Sequence, residues 1–180
     1  VDLILHASFL DDAALEAVVE SGSAVAPTFT FLDNLARHGD KVGAMSTQVD
    51  LFRDEIAATA AMLRQAHDAG VRLLCGSESG FSLTPYGHWH AREAELLVTE
   101  VGLTPLEALT CATRNGAMAL RQEEGTIGVV AEGAAADLLV VAGDPLADVG
   151  LLGDRRNLRQ VISRGVPVDL DRPWPERGDL

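Results

Sequence analysis

Aromatic side chains are scarce. Five Phe, two Trp and one Tyr make up 4% of the 180 residues, so an apolar fraction of 47% rests on small and aliphatic side chains. That is the composition of a globular α/β protein with room for one core. Cysteine is scarcer still. Cys75 and Cys111 stand in apolar settings without CxxC spacing, which argues against a disulfide framework or a zinc knuckle and for two buried thiols. Basic residues are also few: 14 against 27 acidic ones leave a formal charge of −13. Such a balance repels phosphate backbones and anionic membranes, so neither nucleic acid nor a membrane is expected as a partner. No apolar run approaches the ~20 residues of a membrane span. The N-terminus has neither a basic n-region nor a small-residue cleavage site, so a cytoplasmic location is expected. There is no initiator Met, and the chain opens directly in a strand-like run; a processed or truncated product, or the downstream half of a split gene, is the expectation.

What is present has a βαβ texture. Residues 1–7 (VDLILHA) are short and almost wholly apolar, which fits a parallel strand covered on both faces. A helix follows, with Asp11 or Asp12 as N-cap and Gly22 as its stop, and residues 24–27 (AVAP) form the next strand candidate. Residues 28–47 read as a long, irregular, lid-like loop, because Asp33, Asn34, Gly39 and Gly43 break periodicity. Apolar residues at helical spacing from Val49 to Ala66 predict a helix over 48–69 that stops at Gly70. A third strand, 71–75 (VRLLC), then runs into a Gly/Ser turn that presents Glu78. Two more helices are expected, over 91–101 and from Thr104-Pro105-Leu106-Glu107, where N-cap, Pro and capping-box Glu coincide. Beyond Asn115, short β runs at 125–130, 136–142 and 158–168 indicate a small, mostly antiparallel unit, and the tail from Asp169 is expected to be loosely ordered.

Two residues stand at strand ends: His6 after VDLIL and Glu78 after VRLLCGS. Imidazole and carboxylate are ligand types for an ion such as zinc, and parallel strands of one barrel aim their C-terminal ends at a common mouth. Taken alone, His6 fits a satisfied core histidine as well as it fits a ligand, and Glu78 fits a solvated loop acid.

As a whole the order of segments resembles the metal-dependent amidohydrolase superfamily, in particular its imidazolonepropionase-like and Xaa-Pro dipeptidase-like group. LHASFLDDAALEAVVESGSAVAPT resembles that family's sixth strand with its metal-binding His, then a helix and the seventh strand. GVRLLCGSESG resembles the eighth strand and the turn after it, with Glu78 where the family has Asp. AREAELLVTEVGLTPLEALTCATRNGAMAL is similar to the closing helices. GTIGVVAEGAAADLLVVAGDPLADV is similar to the return into a small β domain, with Ala134-Ala135-Ala136 where the family often has Lys; Asp137 reads as a structural turn acid.

The resemblance implies an α/β fold made of the C-terminal part (strands 6–8) of a TIM-type (β/α)8 barrel followed by part of a small β-sandwich domain. The division is 1–120 for the barrel part, 121–170 for the β domain and 171–180 for a tail. It implies a hydrolase of amide or other C–N bonds in which one or two divalent ions, zinc first, activate a water. By the same resemblance His6 is a metal ligand, and Glu78 is a ligand and proton shuttle. Tyr86, His88 and His90, in the loop after Glu78, are candidate substrate contacts. A complete barrel of this kind needs ~250 residues, so a chain or segment carrying strands 1–5 is the expected partner, in an oligomer acting on a small-molecule substrate. The alternatives are a non-catalytic partner that stabilises or regulates an active homologue, and an unrelated α/β binding domain that shares only the element order.

Overall fold

A computed structural model describes residues 1–81, 83–87, 89–120 and 125–171. Strand β1 (Leu3–Leu5) leads into helix α1 (Asp12–Ser21) and strand β2 (Ala24–Ala26). The caps of α1 are the local ones its sequence offers. Asp11 accepts the N–H of Ala14 at 2.8 Å, and Gly22 closes the helix at φ 65°, where a side chain would be strained. β1 and β2 are parallel, with Leu3 opposite Ala24 and Leu5 opposite Ala26. The segment 71–75 adds a third parallel track through one bridge, Val25 to Leu73. Val25 N–H donates to the Arg72 carbonyl at 2.9 Å, and Leu74 N–H to the Val25 carbonyl at 2.8 Å. All three runs therefore end on the same side.

The expected lid is a helix. Residues Phe29–His38 form α2, followed by a 3-10 turn Gly39–Val42. Phe29, Leu32 and Ala36 share its inner face, and Arg37 donates to Asp33 one turn earlier at 2.8 Å. Its N-cap residue, Thr28, makes no capping bond, and the N-terminus is capped from elsewhere in the chain. Helix α3 (Ser46–Asp68) then packs on α2 and α1, burying Ile56, Ala60, Leu63 and Ala66. Helix α4 (His90–Thr99) packs on α2, on α5 (Pro105–Ala112) and on the 3-10 turn Val149–Gly153, which ties the C-terminal region to the first part of the chain. In α5 the expected capping box forms: Thr104 Oγ1 accepts the Glu107 N–H, and Glu107 Oε2 accepts the Thr104 N–H at 2.8 Å. A single turn, α6 (Gly116–Ala119), follows. Leu63, Leu73, Leu96 and Leu97 are fully buried in one cluster with Val25 and Phe29; each such side chain removed from water contributes about 1.5–3 kcal/mol.

Beyond this, β3 (Leu138–Val141), β4 (Leu158–Ser163) and β5 (Val166–Pro167) form an antiparallel sheet in that order. Asp137 has the structural role expected of it, accepting the Arg164 N–H at 2.8 Å. Residues 125–130 are not the strand their apolar content suggested. Gly128 adopts φ 73° with its backbone against Thr113, where an added Cβ would meet the carbonyl oxygen at 2.6 Å, so the segment turns instead of extending. Both cysteines are free thiols; burial pushes Cys111 up to about 11 and Cys75 well above its ordinary value. No helix among the described residues is long and apolar enough to cross a membrane. Residues 172–180, most of the expected tail, lie outside the described residues.

Candidate functional site

The three connections that leave the strand ends are strained alike. Among the described residues, seven non-glycine residues have positive φ, and six of them (His6, Ala7, Phe9, Thr28, Glu78 and Leu83) lie in these connections. Left-handed backbone at non-glycine residues costs free energy and gathers where the fold must aim particular side chains.

His6 and Glu78 are brought together. The imidazole Nδ1 lies 3.7 Å from Glu78 Oε2, with the two side chains 51% and 23% exposed. Nδ1 also meets Thr28 Oγ1 at 2.7 Å, and the Thr28 hydroxyl donates to the Pro27 carbonyl at 2.7 Å. With its one proton so engaged, Thr28 accepts, and the proton on His6 sits on Nδ1. In the neutral ring this puts the lone pair on Nε2, the arrangement of a histidine ligand held by a hydrogen bond on its other nitrogen. The turn carrying Glu78 is anchored through Ser77, whose hydroxyl is 2.7 Å from Ser79 Oγ and 3.2 Å from His90 Nδ1.

Two of the three candidate substrate contacts lie against the turn that carries Glu78. His90 opens α4 and is bonded to Ser77. Tyr86 is 61% exposed and lies over Gly80, where an added Cβ would meet its hydroxyl at 2.5 Å. His88 lies outside the described residues. Arg92, on the same stretch, pairs with Asp33 at 3.0 Å and with Glu95 at 2.6 Å. Six of the eight aromatic residues, Phe9, Phe29, Phe31, Phe81, Tyr86 and Trp89, follow the strand ends. Phe31 and Phe81 are stacked at a tilt with centroids 5.5 Å apart.

One residue goes unseen in the sequence. Glu93 reads there as an ordinary acid on an amphipathic helix, yet it is fully buried. Its carboxylate accepts the N–H of Phe29 at 2.9 Å, the N–H of Thr30 at 2.7 Å and the Thr30 hydroxyl at 2.6 Å. Burial pushes its carboxyl up from 4.5 to about 7, against the bonds from Thr30, Phe29 and Thr28. When protonated it can give its hydrogen only to Thr30 Oγ1, the one of these three contacts able to reverse direction. Because the folded-state value lies above the unfolded one, the protein holds more protons when folded. The stabilisation is complete below pH 4.5 and is lost as pH rises through about 7. Urea titrations at several pH values are expected to show about 3 kcal/mol more loss over that window than in Glu93→Gln.

For a metal, the donor chemistry at His6 and Glu78 fits. An imidazole nitrogen and a carboxylate oxygen are both zinc donor types, and the two side chains approach to 3.7 Å at Nδ1, the nitrogen that also faces Thr28. Among the described residues, no group of three or more His, Cys, Asp and Glu side chains surrounds a common point.

A model of the amidohydrolase family matches residues 2–168. An uncharacterized protein of Mycobacterium tuberculosis is 29% identical over 152 residues, which is 84% of this chain and 39% of that protein. A putative prolidase from Bifidobacterium longum superposes with a TM-score of 0.81 at 33% identity, over 98% of this chain and 44% of that one. A prolidase complexed with N-methylphosphonate-L-proline gives 0.79 at 31% identity, over 93% and 40%. The chain thus spans less than half the length of these relatives.

Proposed function

The chain belongs to the amidohydrolase family, and from that premise we propose that it supplies part of the active site of a metal-dependent hydrolase of amide or other C–N bonds. In this reading residues 1–120 are the sector of a (β/α)8 barrel that holds strands 6–8, and residues 121–170 belong to a small β-sandwich domain. A chain or segment carrying strands 1–5 completes both. The outer edge of β1, unpaired among the described residues and with Leu5 57% exposed, and the exposed Leu139 and Val140 of β3 are surfaces such a partner would cover.

The observation that carries the reading is the approach of His6 and Glu78 to 3.7 Å at one rim. His6 would hold a divalent ion through Nε2, with Thr28 fixing its tautomer. One or two ions bound there, zinc by the donor types, would supply Lewis acidity for activating a water against a carbonyl. Glu78 is the base: at 23% exposure its carboxylate is reachable from the mouth, takes the proton of the attacking water and passes it to the departing nitrogen. The aromatic residues of the rim, with His90 and Tyr86, border the space left for substrate.

Glu78 stands where the resemblance expects Asp, and its extra methylene favours a second reading, a partner that supports an active homologue without turning over substrate. Such a displacement can cost on the order of 10²-fold in rate. The two readings part in one experiment. The protein is purified with whatever completes its barrel, its metal is counted, and hydrolysis of Xaa-Pro dipeptides and N-acyl amino acids is assayed before and after chelation. Bound zinc together with chelator-sensitive hydrolysis supports the enzyme; a folded, metal-free, inactive complex supports the second reading.

A further inference from the structure

The start of α2 is built in an unusual way. Thr28 occupies the N-cap position, where threonine ordinarily turns its hydroxyl onto the first free N–H groups of the helix. Here it does not: Thr28 sits at φ 60° and makes no capping bond. Its hydroxyl serves Pro27 and His6 instead. The N–H groups of Phe29 and Thr30, which would otherwise be buried without acceptors, go to the carboxylate of Glu93, more than sixty residues away. The neighbour of Glu93 grips the same helix, as Arg92 reaches Asp33 through Nε at 3.1 Å and through its terminal nitrogen at 3.0 Å. The first residue of α4, His90, meanwhile holds the Ser77 hydroxyl beside Glu78. The first turn of α4 therefore touches the connection that carries Glu78 and the one that carries Thr28, the partner of His6.

We propose that Glu93 is a positioning residue for His6: by capping α2 from a distance it frees the Thr28 hydroxyl to accept the imidazole Nδ1–H, which leaves Nε2 as the ligand nitrogen. The naming of Nε2 as a ligand rests on the metal-site reading above, whereas the coupling from Glu93 through Thr28 to the imidazole does not. Glutamine at position 93 keeps the shape but offers one acceptor oxygen and an N–H2 group that would face the Thr30 N–H. The helix end then lacks an acceptor, and the nearest replacement is the Thr28 hydroxyl. If Thr28 turns to cap, His6 loses its partner.

The test reads the imidazole itself, in metal-free full-length protein labelled with 15N-histidine, with the His6 signals identified by their loss in His6→Gln. The wild-type protein is expected to show mainly the Nδ1–H form. In Glu93→Gln the ratio of Nδ1–H to Nε2–H is expected to fall about tenfold, as in Thr28→Val. The double variant should fall no further, and Thr28→Ser should keep the wild-type ratio. Glu93→Asp, which retains the charge on a shorter arm, is expected between the two and serves if the glutamine variant does not fold. Ala36→Gly, which weakens α2 away from its cap, separates positioning from general loss of stability: it should lower stability and leave the ratio unchanged. A wild-type ratio in the folded Glu93 variants, or a shift in Ala36→Gly equal to theirs, overturns the proposal. Because no metal is present, failure of the metal-site reading would appear separately, as absence of zinc from the wild-type complex.

Discussion

Replacing His6 with alanine is expected to weaken zinc binding by ~10²-fold or more and to lower kcat/KM by at least ~10³-fold, with Tm changed little. The size follows from the position of the side chain. At 51% exposure the imidazole contributes little buried surface, so its removal costs the site far more than the fold. Loss of a residue that merely orients a metal-bound histidine costs about 10–100-fold in affinity, and loss of the ligand itself must exceed that. In the proposed reading only Glu78 would then remain at this rim as a ligand among the described residues, and its carboxylate would in addition have to accept the proton of water. Competition against a chromogenic chelator gives the affinity, and initial rates at saturating zinc give the catalytic loss. If His6→Ala keeps both the zinc content and the rate of the wild-type complex, the metal centre lies elsewhere and the reading of this rim falls with it.

Local signals reveal a good part of this architecture. The Asp11 cap and Gly22 stop of α1, and the Thr104–Glu107 box of α5, are short-range devices and appear in the structure where the sequence places them. Helix α2 escapes because its cap is not local. Asp33 and Asn34, which look like turn residues in isolation, are buried on that helix, where Asp33 meets Arg37 and Arg92 and Asn34 donates to the Leu83 carbonyl. The segment 125–130 misleads for the opposite reason: its apolar content suggests a strand, but the close approach of Gly128 to Thr113 is a long-range constraint that period alone does not contain. At the candidate site, His6 and Glu78 are legible because strand ends are legible. Glu93 and the second role of Thr28 are not, since each depends on a partner brought near only by the packing of α4 on α2.

That packing makes Phe29 the most consequential apolar side chain near the site. It is fully buried, belongs to the same cluster as Val25 and Leu73 beneath the strand ends, and its N–H is one of the two that Glu93 accepts. Phe29→Ala is expected to destabilise the protein by about 3–5 kcal/mol, from the lost transfer of the ring and the cavity it leaves. Phe29→Leu, which keeps most of the volume, should cost under about 1.5 kcal/mol. Urea denaturation monitored by circular dichroism separates the two, with the alanine variant shifted to a lower midpoint at an unchanged m-value. Both variants retain the backbone N–H, so the acceptor relation with Glu93 survives in sequence, and any difference between them at His6 must come through the mobility of the α2 start. A loss below about 1 kcal/mol in Phe29→Ala would mean that the core beneath the rim collapses around the gap, and that the placement of Thr28 rests on the polar clamp of Glu93 and Arg92 rather than on the packing under it.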